Sequence, residues 1–332
     1  MAEVYEGRDA QLRIRLWELG LIHDALLRMD TGEKLKNLDP NKSRDGRPDN
    51  GSLLSMFEGK LDVHRPGAIS WAGHSFGAAS VHQLVKSVFY RHDSRISGYK
   101  PLFTPDSSSK IAQQITSPTP VILLDLWCLP LTSPDTKWLA DKPLPCYAPD
   151  GPGGTVLLAV LSEAFVKWTE HFQETRRRLS ENPSSNSPKQ TKPAPRFFYP
   201  LGSAHLSQSD FGILFRWVTK KFLKTDEPER YLKLNVRAIL QVLRESGTEV
   251  AATSRIDMEE AEATEQKEGL VAATDKSGDL KILETNGSVR GWIPLSTTLD
   301  ETGKSNPENP SKASAEQGEM LTQVTKNEGV EL

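Results

Sequence analysis

The residues Gly73-His74-Ser75-Phe76-Gly77 have the Gly-x-Ser-x-Gly form. In that pattern a sharp strand-to-helix turn holds a serine hydroxyl up into a cleft, where it can attack a carbonyl carbon. The serine backbone in such a turn is strained and its flanks are crowded, so glycine is expected at both Gly73 and Gly77. The context suits the turn: Ala68-Ile69-Ser70-Trp71-Ala72 reads as a buried strand, and Gly77-Ala78-Ala79-Ser80-Val81 opens a helix on small residues. The bare pattern would turn up by chance in roughly one chain in ten of this length. Its meaning therefore depends on what accompanies it.

A serine nucleophile needs a base to take its proton and an acid to orient that base. With an elbow of this kind the chain order is serine, then Asp or Glu, then His. Of seven histidines, His82, His92, His171 and His205 follow Ser75, and of these only His171 and His205 also follow a strand-end acid. His171 falls mid-helix and reads as a surface or partly buried residue. His205 falls in Gly202-Ser203-Ala204-His205-Leu206-Ser207, a loop of small residues just after a strand. That is the C-terminal edge of a parallel sheet, where such folds build their sites. Asp125 ends the apolar run Val121-Ile122-Leu123-Leu124 at the same edge. It could instead cap a helix, but the apolar Leu126-Trp127-Cys128-Leu129-Pro130-Leu131 is no helix start. Glu163, just after the next strand, is the competing acid; Asp125 is preferred.

Positioning these residues requires alternating strands and helices. Arg8–Met29 has leucines near helical spacing and reads as an amphipathic helix. Asp30–Gly51 is broken by Gly and Pro into a loop. Past the elbow helix, His92–Pro120 reads as a polar surface insertion. Val121–Asp125 and Thr155–Leu161 are short apolar runs suited to buried parallel strands, separated by a loop at Pro130–Gly154. Glu163–Leu179 is a helix with a basic end. Ser180–Pro195 is rich in Ser, Pro and Lys and reads as a second, disordered insertion. Arg196–Pro200 is a last strand. Helices over Asp210–Lys224 and Pro228–Ser246 close the folded part, the latter with Leu232, Val236, Ile239, Leu240 and Leu243 on one face. The expectation is one α/β domain over residues 1–246 with a mostly parallel sheet.

Composition bounds the rest. Only 37% of the 332 residues are hydrophobic, and the mean hydropathy is -0.48, so part of the chain is expected to stay unpacked. That part is residues 247–332, with 17 acidic and 8 basic residues, which read as a disordered acidic tail. Trp292, Ile293 and Leu295 are its one apolar spot. The net charge of -3 gives no argument for nucleic-acid binding. Cys128 and Cys146 form neither a disulfide framework nor a metal-binding spacing, and no metal or cofactor is expected. The N-terminal residues lack the apolar stretch of a signal peptide, so the chain reads as cytoplasmic or of unassigned compartment. No run approaches the length of a membrane span.

Three blocks in order carry a more specific likeness. The elbow, the segment Leu124-Asp125-Leu126-Trp127-Cys128-Leu129-Pro130-Leu131, and Gly202-Ser203-Ala204-His205 with Ser209-Asp210-Phe211 resemble the platelet-activating factor acetylhydrolase family, the single-chain α/β-hydrolase type also called group VII phospholipase A2. The likeness runs from Arg8 to Ser246. It implies an α/β-hydrolase fold and calcium-independent hydrolysis of the sn-2 ester of glycerophospholipids whose sn-2 chain is short or oxidised, at a lipid–water interface. It places the catalytic triad on Ser75, Asp125 and His205. The backbone N–H of Phe76 would serve the oxyanion, and Trp127 and Leu129 would line the acyl pocket. The resemblance also implies strands and a His-Gly loop ahead of the elbow. Here 72 residues precede Gly73, with one helix and no His-Gly dipeptide. The fold is therefore expected to be incomplete on its N-terminal side, with the elbow strand unpaired along one edge. A catalytically impaired relative that binds only lipid or a partner is the alternative.

Overall fold

The computed structural model describes residues 2–33, 35, 52–93, 102–106, 108–184, 192–219, 221, 227–251, 253–254, 280–287 and 289–298. Five strands form one sheet: β1 (Trp71–His74), β2 (Val121–Leu124), β3 (Leu157–Val160), β4 (Arg196–Pro200) and β5 (Trp292–Pro294). Their spatial order equals their chain order. The first four run parallel, with Trp71 opposite Val121, Val121 opposite Leu157 and Leu158 opposite Arg196. Among the described residues β1 pairs only with β2, so the elbow strand is the sheet's edge.

Parallel neighbours need crossovers, and these place helices on both faces. The helices are α1 (Ala2–Asp30), α2 (Ser52–Ser55), α3 (Phe76–Phe89), α4 (Lys137–Ala140), α5 (Glu163–Lys167), α6 (Thr169–Leu179), α7 (Phe211–Leu214), α8 (Arg216–Val218) and α9 (Pro228–Glu245). Side chains alternate across each strand, and the two cores follow that alternation. Val121, Leu123, Leu157, Ala159 and Phe197 join Leu12 and Leu16 of α1 and Ala78, Leu84 and Val88 of α3. Ile122, Leu158, Val160 and Phe198 face the other way, onto Leu234, Ala238 and Val242 of α9. No helix among the described residues is long and apolar enough to cross a membrane.

Several expectations need correction. The 92–120 stretch is no mere surface insertion: Leu102, Ile111, Ala112 and Ile115 are buried in the first core. Gln114 fastens it there, its side-chain oxygen accepting the Ile69 N–H and its amide donating to the Val63 and Arg65 carbonyls. Residues 94–101 and 107 of that stretch lie outside the described residues, as do residues 185–191 of the second insertion. The helix expected over Glu163–Leu179 breaks at Trp168, whose ψ of 85° is not helical. The one expected over Asp210–Lys224 is only the short α7 and α8 before leaving the described residues. The buried stripe of α9 is Tyr231, Leu234, Ala238 and Val242, whereas Val236 is exposed. Its larger aliphatic residues flank that stripe.

The acidic tail is corrected most. Residues 280–298, as far as they are described, belong to the domain, so the boundary at Ser246 does not hold. β5 pairs antiparallel with β4, Tyr199 lying opposite Ile293. Trp292 is 1% exposed. Its ring stacks on Phe198 with centroids 5.3 Å apart, and its Nε1–H donates to the Ile282 carbonyl at 2.7 Å. Ile282, Leu283 and Val289 complete the second core with it. Only a few apolar residues were needed, because the exposed edge of β4 supplied the remaining ladder hydrogen bonds. Residues 255–279 and 299–332 lie outside the described residues.

Trp292→Ala should therefore destabilise the protein by about 3–5 kcal/mol, the usual cost of deleting a buried Trp. Denaturant unfolding followed by circular dichroism measures this, and truncation after Ser246 should cost at least as much. An unchanged midpoint for both variants would show that β5 contributes nothing.

Candidate active site

The three residues expected to be catalytic sit at the C-terminal ends of three parallel strands. Ser75 follows β1, Asp125 follows β2, and His205 opens a short turn at His205–Gln208 after β4. Ser75 has φ 57° and ψ -117°, and Asp125 has φ 48°. Positive φ is costly for a non-glycine residue, about 1–3 kcal/mol, and is easiest for Asp and Asn. Hydrogen bonds hold both turns in place. The Ser75 N–H donates to the Leu124 carbonyl at 2.9 Å and the Asp125 N–H to the Val160 carbonyl at 2.6 Å, extending the ladder one residue past each strand. The Trp127 N–H donates to the Ser75 carbonyl at 3.4 Å, tying the two turns together.

The glycines divide. A side chain at Gly73 would lie 2.3 Å from the backbone of Gly77, so the entering helix forbids one. A side chain at Gly77 would meet nothing within 4 Å, which corrects the expectation of crowding at that flank. Phe76 is the first residue of α3. Its backbone N–H therefore has no partner within the helix and is available as a donor.

Asp125 is fully buried. Oδ1 accepts the Ser162 N–H at 2.6 Å, while Oδ2 accepts the Ser162 hydroxyl at 2.7 Å and the His205 Nδ1–H at 2.8 Å. These bonds offset the cost of burying a carboxylate. Ser162 comes from the end of β3, so one acid joins the ends of β2, β3 and β4. The His205 ring lies between two others. Phe165 stacks on it at 4.7 Å and 10°, and His74 of the elbow approaches at 4.6 Å and 33°. With Nδ1 committed to Asp125, the nitrogen left for proton transfer is Nε2.

The competing residues have other partners. Glu163 accepts the Gly202 N–H at 2.6 Å and pairs with Lys167 at 2.9 Å. It thus anchors the loop that carries His205 rather than contacting the imidazole. His171 is buried and accepts the Cys128 N–H at Nε2 (3.3 Å). Its ring stacks with Trp168 at 4.9 Å. Trp127 and Leu129 are half-buried, and Trp127 lies beside the elbow, its ring 6.3 Å from that of Phe76. The stretch between Asp30 and Gly51, from which a second oxyanion donor could come, lies largely outside the described residues. His74, Asp125 and His205 bring ligand-type atoms within 4.8 Å of one another. A cation there would have to displace hydrogen bonds that already occupy both Asp125 oxygens.

Sequence reasoning missed Ser162, Phe165 and His74 as partners of the imidazole and its acid. The spacing Asp125…Ser162 has no local signature, and ring stacking depends on where the loops meet. His74 alone had a local signal, its place beside Ser75.

A mostly parallel sheet with the elbow serine, a buried acid and a loop histidine at one edge defines the protein as an α/β-hydrolase. Comparison with known families narrows this. The family model described as "Platelet-activating factor acetylhydrolase, isoform II" matches residues 2–262, and the chain belongs to that family. No curated protein matched the chain. Membership makes it a lipid-esterase-type hydrolase in the general sense.

Burial pushes His171 down to about 4, and lowers His74 in the same direction, desolvation being the main cause for both. The unfolded chain binds protons at these histidines below about 6.5, while the folded protein resists. Their contribution is thus full above pH 6.5 and lost as the pH falls toward 4, by about 3 kcal/mol for His171. His171→Gln, which keeps an acceptor for the Cys128 N–H, should flatten the decline of stability between pH 6.5 and 4 in denaturant melts. Equal slopes for the two proteins would refute this.

Proposed function

We propose that this chain is a serine esterase that hydrolyses the sn-2 short-chain or oxidised ester of glycerophospholipids. Its reaction would be that of a 1-alkyl-2-acetylglycerophosphocholine esterase, giving lyso-lipid and acetate, with phospholipid met at a lipid–water interface. The observation that carries this reading is the 2.8 Å bond from the His205 imidazole to the buried Asp125 carboxylate, with the His205 ring 4.6 Å from that of His74, the residue before the elbow serine.

In this reading Ser75 Oγ attacks the acyl carbonyl while His205 Nε2 takes its proton. Asp125 fixes the tautomer and stabilises the imidazolium. The Phe76 N–H donates to the oxyanion, aided by the positive end of α3. His205 then returns the proton to the departing lyso-lipid oxygen, leaving an acyl-Ser75 ester. Water, deprotonated by the same imidazole, attacks that ester and releases acetate. Trp127 and Leu129 bound the acyl pocket, and no cofactor enters the scheme.

A second reading, an impaired hydrolase that binds only lipid or a partner, draws on two observations. β1 is the sheet edge among the described residues, and the Phe76 N–H is the one donor assigned to the oxyanion. Loss of one donor costs about a hundred- to a thousandfold in turnover.

Labelling with an organophosphate serine probe separates the readings. The esterase should be labelled at Ser75. Ser75→Ala should abolish labelling and lower short-chain phospholipid hydrolysis by at least about a thousandfold without changing the melting temperature. Wild-type protein that neither labels nor turns over would favour the impaired relative, and labelling that survives in the variant would move the nucleophile elsewhere.

A further inference from the structure

Arg8 differs from Arg15 and Arg28 of its helix in what it touches. Arg15 pairs with Glu18 at 2.8 Å, and Arg28 with Asp24 at 2.8 Å. Among the described residues no carboxylate pairs with Arg8. Its guanidinium instead lies over the indole of Trp127, 5.0 Å from the ring centroid. It donates to the side-chain oxygen of Gln11 at 2.7 Å, which leaves most of its N–H fork open. The neighbouring Asp9 is turned away, its carboxylate accepting the Ser133 hydroxyl at 2.7 Å. Partial burial lowers the Arg8 pKa, with no acid opposing the shift. A partly buried cation spread on an aromatic face, with most of its fork open, suits an oxyanion with paired oxygens.

Its location adds the ligand. The Trp127 ring that carries Arg8 is the one facing Phe76, the residue after Ser75, and the Trp127 N–H binds the Ser75 carbonyl. The guanidinium thus stands one aromatic ring away from the elbow. In a glycerophospholipid the phosphate is attached to the glycerol carbon next to the one bearing the sn-2 ester. An ester presented to Ser75 brings its phosphate to the same neighbourhood.

We propose that Arg8 binds the substrate's phosphodiester, making it a specificity residue for phosphate-bearing esters over neutral ones. Trp127 then serves two purposes, bounding the acyl site with one part of its ring and seating the cation with its face. This inference rests on the esterase reading for its location but not for its binding chemistry.

Two measurements on the full chain test it. The first compares kcat/KM for a monomeric short-chain phosphatidylcholine and for 4-nitrophenyl acetate. Arg8→Gln should lose about 30-fold on the phospholipid, in keeping with loss of charge-assisted bonds, and stay within about twofold on the neutral ester, by the same reasoning. Arg8→Lys, which keeps charge without the fork, should fall between. Arg15→Gln, on the same helix, should match wild type. An equal loss on both esters, or no loss on either, would overturn the proposal. The second measures binding of glycerophosphocholine by calorimetry. Affinity should fall at least about tenfold in Arg8→Gln; an unchanged affinity would overturn the proposal. Inorganic phosphate bound as tightly as glycerophosphocholine would overturn the assignment to the lipid headgroup. If wild type hydrolyses neither ester, the esterase reading fails, and calorimetry still decides the role of Arg8.

Discussion

One buried carboxylate ties this site together. Asp125 has no contact with solvent, and such a group persists only if its oxygens are well supplied with donors. Ser162 provides two and His205 the third. Each comes from a different strand end, so the acid works as a structural knot as well as a partner for the imidazole. Breaking it would free the ends of β3 and β4 and the turn after β2 together. Glu163 adds a second tie by holding the Gly202 N–H. The loop bearing His205 is therefore fastened at its base and at the imidazole itself.

The sheet makes that knot possible. Parallel register brings the ends of β1, β2, β3 and β4 to one edge, and the elbow can only form there if α3 starts against Gly73. The positive φ at Ser75 and Asp125 is local strain that the extended ladder bonds after β1 and β2 hold in place. On the far side of the sheet β5 covers β4 and seats Trp292 over Phe198. The strand that positions His205 is thereby paired on both edges, unlike β1 among the described residues.

Much of this was legible in the sequence, for identifiable reasons. Ser75 announces itself because the elbow is local. Asp125 and His205 follow because buried parallel strands read as apolar runs, and their ends mark one edge of the sheet. What could not be read depends on contacts distant in sequence. Leu102, Ile111 and Ile115 are too sparse among polar residues to signal a core segment, yet Gln114 draws them in. Trp292 stands in an acidic, polar stretch whose average suggests solvation; it docks because β4 offered an open edge and Ile282, Leu283 and Val289 join it in the core. Phe165 and His74 flank the imidazole through ring contacts that no spacing encodes, and Arg8 meets Trp127 from across the fold. The aliphatic residues of α9 lie on more than one face, so spacing alone does not single out Leu234, Ala238 and Val242 as the buried ones.

The central claim is that Asp125 acts by holding His205 in one tautomer beside Ser75. The most direct measurement is turnover of a short-chain phospholipid ester by Asp125→Asn, with the melting curve recorded on the same protein. Asparagine keeps the size of the side chain but can no longer offer a carboxylate to the Nδ1–H. The account predicts a folded protein whose kcat falls by about a thousand- to ten-thousandfold, the scale seen when a triad acid is neutralised. A folded variant that retains turnover within about tenfold of wild type would contradict it.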